Sequence, residues 1–394
     1  MSRRRRLAIL TSHPIQYNAP LFRCLSHHSE MECKVFYSWE GNVTQLDPEF
    51  NRSIVWDIPL LEGYKYEFVK NIARKPGSGH FFGLNNPTMN STIEQWSADA
   101  ILVYGWNNLT NLRALRYFSK KIPVVFRGDS TQLNATHGIK NMLRDRILRY
   151  VYSKVDMALY PGQHSKGYFK RAGLSADQLY YVPHCIENER FSQDSQDVVD
   201  AASKLRSQLG IASDATVFLF AGKLVSRKNP LLLMSAFNQL VANHEQAELH
   251  LVYVGAGELQ KNLSDLSNGQ NNVHLLGFKN QSEMPSIYRL GDIYVLPSTI
   301  ETWGLGVNEA MACGLPAIIS DFVGCGPELI DQGKTGFVFE EGSVNALESA
   351  MATFVTDPQL ANNMKSNVAE KIEQHSLLNA ALAIESACQA CWKD

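Results

Sequence analysis

The chain has 394 residues, 45% hydrophobic and 19% charged, enough for two globular domains of ordinary size and unlike a disordered chain. A net charge of −2 argues against bulk nucleic-acid binding, and no apolar run approaches the roughly 20 residues of a membrane-spanning helix. Seven scattered cysteines fit thiols of a reducing compartment and not a disulfide framework.

The basic start, Arg3-Arg-Arg-Arg6, runs into an apolar stretch that breaks at Thr11-Ser-His-Pro14, too short for a signal-peptide core. It reads as a basic tail feeding a first strand, Leu7–Leu10, and the arginines suit a solvated tail or contact with anionic lipid headgroups. Further short apolar runs follow at Ala100–Tyr104, Pro123–Phe126 and Met157–Tyr160, then at Val217–Phe220, Leu249–Val254, Ile293–Leu296 and Ala317–Ser320. Longer helical patterns separate them. Strand-then-helix alternation implies parallel sheets covered on both faces, and there are too many units for one sheet. The expected division is an N-terminal domain over 1–190, a second over 198–374 and a final helical segment, 375–394. The boundary is placed in the polar, non-periodic stretch Asn188–Asp197. Cys388-x-x-Cys391 lacks a second pair and reads as helix-face packing.

The second half carries the chemistry. The strand Ile293–Leu296 leads into Ser298-Thr-Ile-Glu-Thr-Trp-Gly-Leu-Gly-Val-Asn-Glu309, which opens a helix ending near Gly314. A strand, a glycine turn and a helix start gather unpaired N–H groups and a positive dipole end, a place for a phosphate. Glu301 and Glu309 flank Gly304 and Gly306; carboxylates on either side of a phosphate suit the hydroxyls of a ribose and of a sugar. Upstream, Gly222-Lys-Leu-Val-Ser-Arg-Lys-Asn-Pro230 places Lys223, Arg227 and Lys228 at the carboxyl end of another strand, where open α/β sheets bind ligands. These features, with Leu251–Gly257 and Val273–Lys279, resemble in order and kind the E-x7-E pattern of retaining GT-B glycosyltransferases, most closely glycosyltransferase family 4.

That resemblance implies an α/β fold of two doubly wound Rossmann-like domains facing across a cleft, the last helix returning to the first domain. It implies that Lys223 and Lys228 contact a diphosphate, with lysine where arginine is frequent. Glu309 would meet the ribose and Glu301 the donor sugar. Backbone around Thr302, Trp303, Gly304, Leu305 and Gly306 would hold phosphates, with Gly222, Leu276 and Phe278 nearby and a base against Leu276–Phe278. The catalytic set is then Glu301, Lys228 and Lys223. The chain has no Asp-x-Asp pair, so no metal and no cofactor is expected beyond the nucleotide-sugar co-substrate.

The first half matches the family less well. Ser12-His-Pro-Ile-Gln-Tyr-Asn18 replaces the usual glycine pair after strand one and resembles a branch with an HPIQY-type first loop. His13, Gln16, Tyr17 and Asn18, with Trp106, Arg127 and Asp129, are the candidate acceptor contacts. Where the family places a histidine this chain has Arg127 and Asp129, with His137 further on. The implied reaction is retaining transfer from a nucleoside-diphosphate sugar, UDP favoured, to a hydroxyl of a saccharide or lipid-linked saccharide in polysaccharide or lipopolysaccharide assembly. The expected setting is the cytoplasm, peripheral to the inner membrane face. A GT-B epimerase and a non-catalytic nucleotide-sugar-binding homologue are the alternatives. A dehydrogenase is disfavoured because no G-x-G-x-x-G follows strand one.

Overall fold

The computed structural model describes residues 3–41, 46–47, 52–53, 55–133 and 139–392. The chain divides into two units: Met1–Asn42, Pro59–Cys185 and Ser376–Asp394 form one, and Val43–Ile58 with Ile186–His375 the other. His137 lies outside the described residues.

The first unit is built on a seven-stranded parallel sheet. Its spatial order is Lys65–Phe68, Glu32–Tyr37, Arg6–Thr11, Ala100–Tyr104, Val124–Arg127, Met157–Tyr160, Leu179–Tyr181. The register sets Ile9 against Val35 on one side and Leu102 on the other. Alternate residues of these apolar strands point to opposite faces. Ala8, Leu10, Ile101 and Val103 therefore enter one core, and Leu7, Ile9, Ala100 and Leu102 enter another. A sheet buried on both faces is what continuous apolar runs encode.

The last helix, Leu377–Cys391, belongs to this first unit. Ser376 starts it, its Oγ accepting from Asn379 N at 3.2 Å. Ala380, Ala381, Ile384, Ala387 and Cys388 then enter the same core as Leu7 and Ile9. Cys388 is fully buried, and burial pushes the Cys391 thiol up to about 11. All seven cysteines are described and none forms a disulfide.

Most of the basic start has intramolecular partners. Arg3 pairs with Asp99 at 2.7 Å, Arg5 lies over the Trp392 ring at 4.8 Å, and Arg6 pairs with Glu32 at 2.8 Å. These contacts tie the start of the first strand to its surroundings, so the segment is more than a solvated tail.

The second unit has a six-stranded parallel sheet in the order Val273–Leu275, Leu249–Val254, Thr216–Ala221, Ile293–Leu296, Ala317–Ser320, Gly336–Phe339. In both sheets the unit's first strand sits beside its fourth, the point where the order reverses. The polar, non-periodic stretch in which the boundary was expected contains a short helix, Asn188–Ser192, before the helix Gln196–Gln208. One anchor explains it. Phe191 is fully buried 5.8 Å from the Tyr288 ring, and Arg289 Nη1 donates to Phe191 O at 2.6 Å. A single buried aromatic leaves no periodic signature. The two units part earlier than this stretch, between Cys185 and Ile186.

Candidate functional site

The reversal point of the second sheet gathers the charged residues. The strand Thr216–Ala221 ends at Gly222 and Lys223 and continues through a 3-10 turn, Ser226–Lys228. Asn229 has φ +50°, a left-handed residue that turns the chain into the helix Pro230–Asn243, with proline at its first position. The neighbouring strand, Ile293–Leu296, emerges fully buried into Ser298 and Thr299. Thr299 N donates to Arg227 O at 2.9 Å, which joins the two loops.

This join brings Lys228 onto Glu301: its Nζ donates to the Glu301 carboxylate, and each side chain is only 14% exposed. Arg227 Nη1 stands 3.9 Å from the same oxygen, at a more exposed position. Two cations around one carboxylate leave a positive balance at the strand ends, and the ion pair holds the flexible lysine in place.

The glycine turn beyond Glu301 has steric causes. Gly304 has φ +101°, which an L side chain rarely adopts, and begins the eight-residue helix Leu305–Ala312. A Cβ on Gly306 would meet Tyr294 Oη at 2.4 Å. Trp303 is buried, its indole N–H donating to Asn308 Oδ1 at 2.8 Å, while its carbonyl accepts from Cys325 N at 2.9 Å. Thr302 beside it is exposed and Leu305 half-buried. Trp303 thus anchors the turn, and the N–H groups of Leu305 and Gly306 open the helix.

Glu309 lies in the second turn of that helix and is 4% exposed. Tyr288 Oη donates to its Oε2 at 2.7 Å. Tyr288 was not among the sequence candidates. It lies 21 residues upstream in a different helix, so no local pattern marks it.

Two more strand ends adjoin. Gly222 N donates to Val254 O at 2.9 Å, and Gly255 N to Gly277 O at 2.8 Å. A Cβ on Gly255 would lie 1.8 Å from Gly222 O, so backbones touch there and only glycine fits. Leu276 and Phe278, flanking Gly277, are half-buried. Glu328 lies in the first turn of the short helix Gly326–Leu329.

The first sheet's reversal point is chemically different. His13 Nδ1 is 2.9 Å from Ser12 Oγ, its ring meets Trp39 edge-on at 5.7 Å, and burial lowers its pKa. Gln16 and Tyr17 lie in the approach to the helix Asn18–His28, and Asn18 is its first residue. Trp106 is partly buried against the sheet's core. Arg127 is 4% exposed, donating to Val182 O at 3.3 Å and Pro183 O at 3.1 Å. Its guanidinium is committed to backbone carbonyls and not displayed to an acceptor. Asp129 is exposed. Among the described residues no group of three or more His, Cys, Asp or Glu is arranged to hold a metal ion.

Residues 202–371 match the family model described as Glycosyl transferases group 1. The chain is 30% identical over 202 residues to the UDP-Gal:alpha-D-GlcNAc-diphosphoundecaprenol alpha-1,3-galactosyltransferase of Escherichia coli, covering 50% of this chain and 49% of that protein. It is 27% identical over 228 residues to a GDP-mannose-dependent alpha-(1-6)-phosphatidylinositol monomannoside mannosyltransferase of Mycolicibacterium smegmatis, covering 55% and 57%. These alignments span about half the length of each relative. The crystal structure of Anabaena Alr3699/HepE in complex with UDP superposes with TM-score 0.73 at 19% identity, covering 98% of this chain and 100% of that one. The fold is therefore that of GT-B glycosyltransferases, two doubly wound Rossmann-like domains, and the second carries the match to Glycosyl transferases group 1.

Proposed function

We propose that this chain is a retaining glycosyltransferase that moves a sugar from a nucleoside-diphosphate donor to a hydroxyl of a saccharide or lipid-linked saccharide in cell-surface glycan assembly. The observation that carries the reading is the Lys228–Glu301 pair, with Arg227 beside it, at the reversal point of the second sheet and next to a glycine-opened helix.

In this reading Lys228 and Lys223 bind the diphosphate and stabilise the charge that grows as it departs. N–H groups of Leu305 and Gly306 add to that binding through the helix dipole. Glu301 accepts from the donor sugar's hydroxyls. Glu309, held by Tyr288, accepts from the ribose, since an ionised carboxylate has acceptor capacity beyond one hydroxyl. The base lies along Leu276 and Phe278. His13, Gln16, Tyr17, Asn18 and Trp106 are the acceptor side of the proposal.

The bond from the anomeric carbon to the departing phosphate oxygen breaks. The acceptor oxygen bonds that carbon from the same face, and its proton passes to the departing phosphate. No strong protein base is needed, so catalysis is mostly positioning and charge stabilisation, and the cations serve in place of a metal. UDP is the favoured nucleotide, supported by the UDP-bound structure and the UDP-Gal relative; GDP is second, given the GDP-mannose relative.

The test is calorimetry with UDP, GDP, ADP and dTDP and their sugars, with and without chelator, followed by transfer assays whose product anomer is read by NMR. Selective binding of one diphosphate and an axial-to-axial outcome support the proposal. A folded protein that binds none of them overturns it.

A further inference from the structure

The segment Val43–Ile58 stands in the chain between two strands of the first sheet, Glu32–Tyr37 and Lys65–Phe68, yet it belongs to the second unit. Its described end is held there by hydrogen bonds. Asn280 Nδ2 donates to Val55 O at 2.7 Å. Ser282 donates twice to the Asp57 carboxylate, from its backbone N at 3.1 Å and from its Oγ. Val55 and Asp57 are both exposed, so this hold owes little to burial.

The turn that receives it, at 280–283, is fixed from a second direction. Arg190 donates to Gln281 O at 2.6 Å and to Gln281 Oε1 at 2.7 Å, and Gln281 is buried. The turn also closes on itself: Asn280 N donates to Glu283 Oε2 at 3.1 Å, and Glu283 N to Asn280 O at 3.1 Å. Its place in the chain gives these bonds a consequence. Phe278, in the base wall proposed above, is just upstream of Asn280. The helix Met284–Tyr288 begins immediately downstream, and its Tyr288 donates to Glu309 at 2.7 Å. One turn thus joins the wall to the group that holds the ribose carboxylate. A turn already ordered adds no ordering cost when a nucleotide binds.

We infer that Asp57 is a positioning residue of the donor site. By holding Ser282 it sets the turn at 280–283, and through the turn it sets Phe278 for the base and Tyr288 for Glu309. Asp57 acts through Ser282 and not on the nucleotide. A carboxylate suits this place because charge-assisted hydrogen bonds are stronger than neutral ones, and an exposed hold needs that strength. Linkage makes the effect mutual: whatever affinity Asp57 adds for the nucleotide, the nucleotide adds to the hold of Asp57 on Ser282. The inference rests on the donor-site reading above, and it gives a segment that leaves the first sheet a part in the second unit's chemistry.

The experiment is calorimetry of UDP, GDP, ADP and dTDP on the full chain, with melting temperature measured alongside. D57A is expected to weaken the nucleotide that the wild type binds by about fivefold, the low end of a typical coupling. D57N is expected to recover most of that loss, because an asparagine oxygen still accepts from Ser282 N. S282A is expected to weaken binding too, and D57A/S282A to be no weaker than D57A, since both act on one contact. Melting temperatures should stay near wild type, because Asp57 is exposed. Wild-type affinity in D57A, no recovery in D57N, or additive losses in D57A/S282A overturn the inference and leave the donor reading standing. A folded wild type that binds none of the four nucleotides overturns both.

Discussion

The two sheets share one strand order around their reversal points but present different chemistry there. In the second unit the two central strands deliver an ion pair, a second cation and a glycine-opened helix. In the first, the strand Arg6–Thr11 leads to a histidine against Trp39, which follows the neighbouring strand Glu32–Tyr37, and Arg127 at the end of Val124–Arg127 is sunk into the protein. One architecture thus supports two edges, one charged and polar, the other largely neutral and aromatic. Function is carried by what the loops place at the edge, not by the sheet.

The largest expected effect separates the two edges directly. Lys228→Ala is expected to slow transfer by about 100- to 1000-fold, as for loss of a charge-stabilising donor, with little change in melting temperature. A turnover near wild type at saturating donor would remove Lys228 from the chemistry. Arg127→Ala should behave in the opposite way. It strands the carbonyls of Val182 and Pro183, so denaturant unfolding should report a loss of about 2–4 kcal/mol. Nucleotide affinity measured on the folded variant should hold; a specific loss of affinity would blur the contrast.

Next is the turn. Gly306→Ala forces a Cβ against Tyr294 Oη and should cost about 1–3 kcal/mol and weaken nucleotide binding. Gly79→Ala, with nothing within 4 Å, is the matched control in the first unit and should do neither. If both variants melt alike, the tight contact is not what requires glycine at 306. Tyr288→Phe removes the hydroxyl that holds Glu309. Donor affinity by calorimetry should fall by about tenfold, the value of roughly one hydrogen bond to a charged group. An unchanged affinity would mean that Glu309 needs no such positioning.

The smallest effect concerns pH. His375 is 3% exposed beside Trp303, with Nδ1 3.2 Å from Lys371 O, and burial lowers its pKa. His13 in the first unit is shifted the same way. A histidine with a depressed folded pKa is neutral in the fold. Its contribution is therefore complete above the unfolded value near 6.5 and is lost as pH falls below it. Melting temperature should drop between about pH 7.5 and about pH 5.5, and His375→Gln should flatten part of the drop. An equally steep drop in that variant would assign the sensitivity elsewhere.

Much of this was legible in the chain because the signals are local. Apolar runs such as Leu7–Leu10 and Ile293–Leu296 fall on central strands, buried on both faces. Gly304 and Gly306, between a strand and a helix, mark the turn through backbone conformation and close approach, which neighbouring residues dictate. Cations and carboxylates near strand ends were visible as candidates for the same reason.

Other features were decided only by tertiary structure. Lys228 and Glu301 are 73 residues apart, and they meet because the first strand of the unit lies beside the fourth. Tyr288 reaches Glu309 from another helix, and Phe191 organises a polar stretch through one buried ring. Arg127 ends an ordinary strand in sequence, yet its guanidinium is absorbed by carbonyls of the chain 55 and 56 residues further on. Conformational preference acts over a few residues and leaves a pattern that can be read along the chain. Burial and charge pairing are set by which distant segments the packed sheets bring together, and no window of sequence contains both partners.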